Sequence, residues 1–214
     1  MTGSTISGNG GTGSNVFGGG AYARGTVTVA NSIVLGNTAT ASGAELFEYS
    51  GETGRGGLIA VTGVAIIGAD ADAFDVSQTT GSGVALNAQA AEVFAATMDN
   101  NGVAAGVLAD NGGPVETIAL RADASNPALD AVATGGTDAR GQARGVDFQG
   151  VDNGGPSDLG AFELQFSEDD APPVITSTLS IVLGEGLSAA LSQLPITAED
   201  LTTVAFSIAG GPDA

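Results

Sequence analysis

Apolar residues alternate with threonine over residues 25–30 (GTVTVA), the period of a half-buried strand with Val27 and Val29 directed inward. Residues 58–61 (LIAV) read the same way. Three short aliphatic segments then align on a glycine: residues 5–9 (TISGN), 33–37 (IVLGN) and 65–69 (AIIGA). Each sets Ile6, Val34 or Ile66 two positions before the glycine, and each is too short for a helix. Gly8, Gly36 and Gly68 are 28 and 32 residues apart. Such spacing belongs to a solenoid, in which no coil buries its face alone. The pattern predicts an all-β fold, a parallel β-helix. Asn9, Asn31 and Asn37 end segments, where asparagine tolerates left-handed backbone and can stack from coil to coil.

The period changes near residues 84–98. Ala91, Phe94, Ala95 and Met98 recur at i, i+3, i+4 and i+7, predicting a short helix on the side of the solenoid with Asn87 as N-cap. Residues 108–163 are turn-rich. The pentapeptide DNGGP occurs at 110–114 and again at 152–156, flanking NPALDA (126–131) and TDARGQAR (137–144). In DNGGP the Asp and Asn bond nearby backbone, Gly-Gly relaxes the dihedrals and Pro starts an extended piece. Residues 1–166 are therefore expected to form coils and a C-terminal cap (about 108–163). Residues 167–173, which include EDDAPP, form an acidic, Pro-terminated linker. Residues 174–214 carry expected strands at 178–183 and 203–208, short of the roughly 100 residues of a β-sandwich.

Composition narrows the picture. Thirty-five Gly against seven Pro, without a Gly-X-Y period, means tight turns and not collagen. Eight Phe, two Tyr and no Trp leave the core to Val, Ile, Leu and Ala. Twenty-four acids face five arginines, giving a net charge of -19. That charge repels polyanions, so nucleic acid, anionic lipid and uronic-acid polymers are poor partners unless a divalent cation bridges them. No apolar run approaches about 18 residues, so no membrane-spanning segment is expected. The first residues have no basic and apolar leader, and the opening reads as mid-repeat, so a piece of a longer chain is expected. Absence of Cys removes disulfides and thiol chemistry.

With these pieces in order, residues 3–163 resemble the C-terminal end of bacterial surface β-helix proteins of the choice-of-anchor Q type. The resemblance rests on STISGN (4–9), NSIVLGNTA (31–39), LADNGGPVETIAL (108–120), NPALDA, TDARGQAR and DLGAFE (158–163). It implies a right-handed parallel β-helix, export and attachment to the cell surface, and no known enzymatic activity. A second DNGGP before DLGAFE departs from the pattern, and no sorting signal follows it. Residues 176–214 resemble instead the first half of a cadherin-like or chondroitin-proteoglycan-type repeat of large adhesins.

Candidate chemistry is sparse. Without His or Lys, histidine-based acid/base catalysis, serine triads and lysine bases are excluded. The densest carboxylates are Asp70, Asp72 and Asp75, and Asp138, Asp147, Asp152 and Asp158. Glycoside hydrolysis would need two of them about 5–9.5 Å apart across a sugar. In so acidic a chain they read as chance clustering, and no catalytic residue is assigned. Asp138, Arg140, Arg144 and Asp158 are expected to be structural, the arginines pairing with Asp138 or Asp158 inside the cap. Calcium is the candidate cofactor, with Asp110, Asp152, Asp169 and Asp170 as its weak ligands, although no EF-hand or GGxGxD repeat is present. Gly8, Gly10 and Gly13 match a dinucleotide fingerprint but follow no βαβ unit.

The expected function is that of a non-enzymatic, adhesin- or stalk-like part of a large secreted or cell-surface bacterial protein. Its expected partners are carbohydrate, another cell-surface protein and neighbouring domains of the same chain. The alternative is a carbohydrate-active β-helix, a hydrolase, lyase or epimerase, with its groove mostly on coils outside this chain.

Overall fold

The computed structural model describes residues 1–49, 57–68, 83–148 and 150–165. Met1–Gln165 make one compact unit. The expected linker, the tail strands and Asp70, Asp72, Asp75, Asp169 and Asp170 lie outside the described residues.

Among its described residues the unit is all-β with one helical turn. Strand β1 (Thr5–Ile6), β2 (Ala21–Ala23), β3 (Thr26–Val34), β4 (Leu46–Glu48), β5 (Leu58–Ile67) and β6 (Val84–Leu86) come first. The helical turn α1 (Ala90–Val93) follows, then β7 (Thr97–Asn100), β8 (Val103–Gly106), β9 (Leu108–Ala109) and β10 (Thr117–Ile118). One sheet has the order β1-β3-β5-β6, and every pairing in it is parallel. Thr5 lies beside Ile33, Ile33 beside Ile66, and Ile66 beside Leu86. A second parallel pair, β2-β4, sets Tyr22 beside Phe47.

Two expected strands merge in β3. Residues 26–30 and 32–34 are one strand that bends at Asn31, whose φ is 49°. Opposite it, β5 carries one extra residue between Thr62 and Ala65, with Gly63 at φ 71°. This bulge shifts the register expected from the glycine alignment. Val34 pairs with Ile67, not Ile66. Ile59, Val61, Ala65 and Ile67 stay on one side of β5 through the bulge, while β3 changes parity at Asn31, from Val29 to Val34, a shift that the spacing of the glycines misses.

At Ser32–Val34 and Ala65–Ile67 both faces of the main sheet are buried, which is why these segments read as continuous apolar runs. Toward one side, Val29, Val34, Ile59, Val61, Ala65 and Ile67 pack with Ala23 and Leu46. Toward the other, Ile33 and Ile66 pack with Val93, Phe94, Leu129, Leu159 and Phe162. From residues 108–163, the expected cap, Ile118, Leu120, Leu129, Leu159 and Phe162 thus belong to the cluster on this face of the sheet. The Gly160 amide donates to the carbonyl of Asn31, 3.0 Å away, and the Ala161 amide to Thr5 Oγ1, also at 3.0 Å. These contacts cross β1 and β3.

Polar groups at the ends of successive passes are tied together. Glu45, fully buried, takes the Gly36 amide at 2.7 Å and the Asn37 carboxamide at 2.6 Å. Asn37 Oδ1 in turn accepts from the amide and the side chain of Asn9, both at 3.0 Å.

The helix expected near residues 84–98 is one turn, capped by Gln89 and not Asn87. Residues 84–86 join the parallel sheet, and Met98 lies in β7, half exposed. The β7-β8 hairpin claims residues 97–106. Asn101 and Gly102, both at positive φ (53° and 88°), make its two-residue turn, the geometry that Asn-Gly favours.

Candidate functional site

Asp138 is the hub of a buried polar network. It sits in a tight turn in which its Oδ1 accepts the amides of Arg140 (2.8 Å) and Gln142 (3.0 Å). Its Oδ2 takes Arg140 Nε at 2.8 Å, Arg140 Nη2 at 2.7 Å and the Glu163 amide at 3.0 Å. Burial works against its charge, but the Glu163 amide, the Arg140 guanidinium and the amides of Gln142 and Arg140 outweigh it. The carboxyl is held below the ordinary range. Arg140 also lies 3.7 Å over the ring of Phe162 and donates to the carbonyls of Asn111 and Glu163.

Arg144 takes a different partner from those expected. Its Nη1 is 3.4 Å from Glu163 Oε2, and from Asp158 it engages only the carbonyl, at 2.9 Å. Glu163, which the sequence did not single out, is fully buried. It collects the amides of Gly145 (2.8 Å), Val146 (3.2 Å) and Asp158 (2.9 Å).

The Asp158 carboxylate binds the amides of Asp130 (3.0 Å) and Leu164 (2.6 Å). Burial pushes it up to about 7, against those two hydrogen bonds and with help from the charges of Glu163 and Asp130. Asp130 was also missed. Its φ is 47°, its Oδ2 accepts the Phe148 amide at 2.9 Å, and its Oδ1 is buried without a partner. Burial raises it to about 6, Asp147 and Glu163 adding to the effect and the Phe148 hydrogen bond opposing it.

The two DNGGP copies do the same job in different places. Asn111 clamps its loop through the carbonyls of Ala109 (3.4 Å) and Thr117 (2.8 Å). Asn153 reaches the carbonyls of Asn126 (3.4 Å) and Leu129 (2.9 Å). In each copy the second glycine lies against foreign backbone. A Cβ on Gly113 would come 2.6 Å from Arg140 Cα, and one on Gly155 would come 2.4 Å from the Val132 carbonyl carbon.

Asp110 bonds the Gly112 amide at 3.0 Å, and Asp110 and Asp152 are exposed or nearly so at their turns. Among the described residues no group of three or more acids is disposed to hold a metal ion.

Asp138 and Glu163 are saturated with donors, and Asp130 Oδ1 is the network's bare oxygen among the described residues. A cleft of about 340 Å³ reaches Asp138 and Arg144 along with Thr2, Asn31, Thr134 and Thr137. Asp138 and Arg144 on its wall already carry the hydrogen bonds described. A general base needs an open lone pair within reach of substrate, and Asp138 offers none.

A second feature lies on the outward face of β2 and β4. Alternation turns Ala23 and Leu46 inward and Tyr22 and Phe47 outward. Tyr22 stacks on Phe47 with ring centres 5.3 Å apart, and Phe17 meets Phe47 at 4.8 Å. The Arg24 guanidinium lies 4.8 Å over Tyr49 and 5.8 Å over Tyr22. Phe17, Tyr22 and Tyr49 stay 41 %, 39 % and 36 % exposed. The signal for this strip was present in the sequence as outward i, i+2 pairs, Tyr22/Arg24 and Phe47/Tyr49.

The described part is thus an all-β protein unit with a buried ionic network and an exposed aromatic strip. Compared with protein-family models, curated proteins and solved structures, the chain finds no match. No helix among the described residues is long and apolar enough to cross a membrane.

Proposed function

We propose that the chain is a non-enzymatic part of a secreted or cell-surface bacterial modular protein. In this reading a right-handed parallel β-helix of the choice-of-anchor Q type serves as stalk and display surface. The ladder from Thr5 through Ile33 and Ile66 to Leu86 supports the solenoid, because parallel neighbours this far apart in sequence are what successive coils produce.

The observation that carries the binding role is the strip of Phe17, Tyr22, Phe47, Tyr49 and Arg24. Rings left in water add little to folding, and contiguous exposed apolar surface marks interaction sites. Tyr and Arg are also the residues that dominate binding energy at interfaces. Only Glu45 and Glu48 among residues 1–49 are acidic, and Glu45 is buried, so this face escapes the strong negative charge of the rest. A carbohydrate or a cell-surface protein is the partner that fits. The burial of Asp130, Asp138, Asp158 and Glu163 weighs against the carbohydrate-active alternative.

The test is retention of the labelled chain on immobilised glycans and on intact cells. Tyr22→Ala combined with Phe47→Ala is expected to lower retention at least tenfold while leaving the circular dichroism spectrum unchanged. Equal retention of wild type and variant would remove the strip from the reading. Release of reducing ends or unsaturated sugars from a polysaccharide would replace the reading by the enzymatic one.

A further inference from the structure

We propose that the buried carboxylate network is a proton-operated brace. With Asp130 and Asp158 protonated, it holds residues 126–165 against the parallel sheet, and it loosens when both ionise.

Asp130, Asp138, Asp158 and Glu163 are all buried, and two guanidiniums, Arg140 and Arg144, stand among them. Arg140 is committed to Asp138 and Arg144 to Glu163. Among the described residues no cation remains for the other two carboxyls. Asp158 has two amide donors, and Arg144 touches only its main-chain oxygen. Asp130 has one amide donor and one bare oxygen. Asp147 and Glu163 press further negative charge on Asp130, as Glu163 does on Asp158. An unpaired charge in such a place carries a desolvation cost that a proton removes.

These two carboxyls join the loops to one another. Asp158 ties the segments around Asp130 and Leu164, and Asp130 ties the segment around Phe148. Next to them Leu129, Leu159 and Phe162 pack on Ile33 and Ile66. Ionisation makes the carboxylates better acceptors for these amides, but it also favours their exit to water, and a carboxylate that leaves breaks its ties and frees the layer packed on this face of the sheet.

The sign follows from the folded values, about 6 for Asp130 and about 7 for Asp158, both above the ordinary 3.8. The folded chain binds more protons than the unfolded one across that window. Stability from these groups is full below the ordinary value and is lost as pH rises through the folded values.

The experiment is the melting temperature of the full chain from about pH 5 to about pH 8, for wild type, Asp130→Asn, Asp158→Asn and the exposed control Glu116→Gln. Wild type is expected to fall by roughly 10 °C across this range, on the scale set by the Asp158 shift. Asp130→Asn, whose amide oxygen can keep the Phe148 hydrogen bond, is expected to match wild type near pH 5 and to exceed it near pH 8. Glu116→Gln removes the same charge from the surface and is expected to run parallel to wild type. If Asp158→Asn disturbs folding, amide exchange at Phe148 and Leu164 in wild type reads the same event, and faster opening there above neutral pH is expected. A flat or rising wild-type profile overturns the proposal, as does an Asp130→Asn profile parallel to wild type. Recovery of wild-type stability near pH 8 by millimolar calcium, absent in Asp130→Asn, overturns it in favour of a cation in the place of the protons.

Discussion

At the scale of single residues, the network around Asp138 separates groups that look alike in sequence. Asp138 and Asp158 both belong to acidic turns, yet one is held below the ordinary carboxyl range and the other is raised to about 7. Burial dominates at Asp158, with only two amides against it and the charges of Glu163 and Asp130 adding to it, whereas at Asp138 burial is outweighed by the amides of Glu163, Gln142 and Arg140 and by the Arg140 guanidinium. Removing it should expose the cost: Arg140→Ala leaves the Asp138 charge buried beside three amides, and a loss of about 3–5 kcal/mol in urea unfolding is expected. Arg140→Lys should recover little, because an ammonium cannot reproduce the fork on Asp138 or the planar contact with Phe162. Asp138 also sets the acid limit. Its folded value lies below the ordinary one, so its contribution is present at neutral pH and disappears as pH falls below about 4. The second glycines of the DNGGP copies give a further contrast. Gly155→Ala drives a methyl into the Val132 backbone, and a loss of about 1–3 kcal/mol is expected, as for overpacking. Gly135→Ala meets nothing within 4 Å. It should be neutral, or stabilising by about 0.4–1 kcal/mol through the unfolded chain. Equal unfolding midpoints for these two variants would contradict the packing role of Gly155.

At the scale of elements, strands were legible where one side chain in two is apolar. GTVTVA announces the start of β3 because Thr26 and Thr28 face water while Val29 faces the core. The continuation through SIV was read as a separate segment, since both faces of the sheet are covered there and alternation vanishes. The bulge at Gly63 could not be inferred from spacing, because one inserted residue changes no composition. The helix was overestimated because Ala91, Phe94 and Met98 do fall at helical intervals. Tertiary partners decide otherwise: Asn126, buried, takes the Val93 carbonyl at 3.0 Å, and Phe94 bridges to Leu120. The Asn101-Gly102 signal was in plain view and would have given the hairpin. For the network, the sequence singled out Asp138, Arg140, Arg144 and Asp158, but Asp130 and Glu163 gain their places only through loops that meet in space. Asn126 offers the test at this scale. Its carboxamide joins the α1 turn to the NPALDA loop through Val93, Arg121 and Ala128. Asn126→Ala should cost about 2–4 kcal/mol, as several buried groups lose partners together, and should open amide exchange in α1 before the parallel sheet. Uniform opening would show that the two parts unfold as one.

At the scale of the whole chain, two electrostatic effects of opposite sign compete, and salt distinguishes them. A net charge of -19 repels itself, and added salt relieves that repulsion. The attractive pairs respond far less. Among the described residues Asp138–Arg140 and Arg144–Glu163 are buried, where mobile ions do not reach, and Arg121–Asp123 is the exposed pair. The surface pair contributes at most about 1 kcal/mol. Repulsion among acids spread along residues 70–214 acts over longer distances, and screening shortens its reach from about 30 Å at 0.01 M to about 8 Å at 0.15 M. The melting temperature should therefore rise with sodium chloride over this range near pH 7, most steeply at the low end. Near pH 5, with Asp130 and Asp158 protonated, the rise should be smaller, since the same salt then has less repulsion to relieve. A melting temperature that falls with salt would mean that exposed attractive pairs, and not the excess of acids, set the electrostatic balance of this fold.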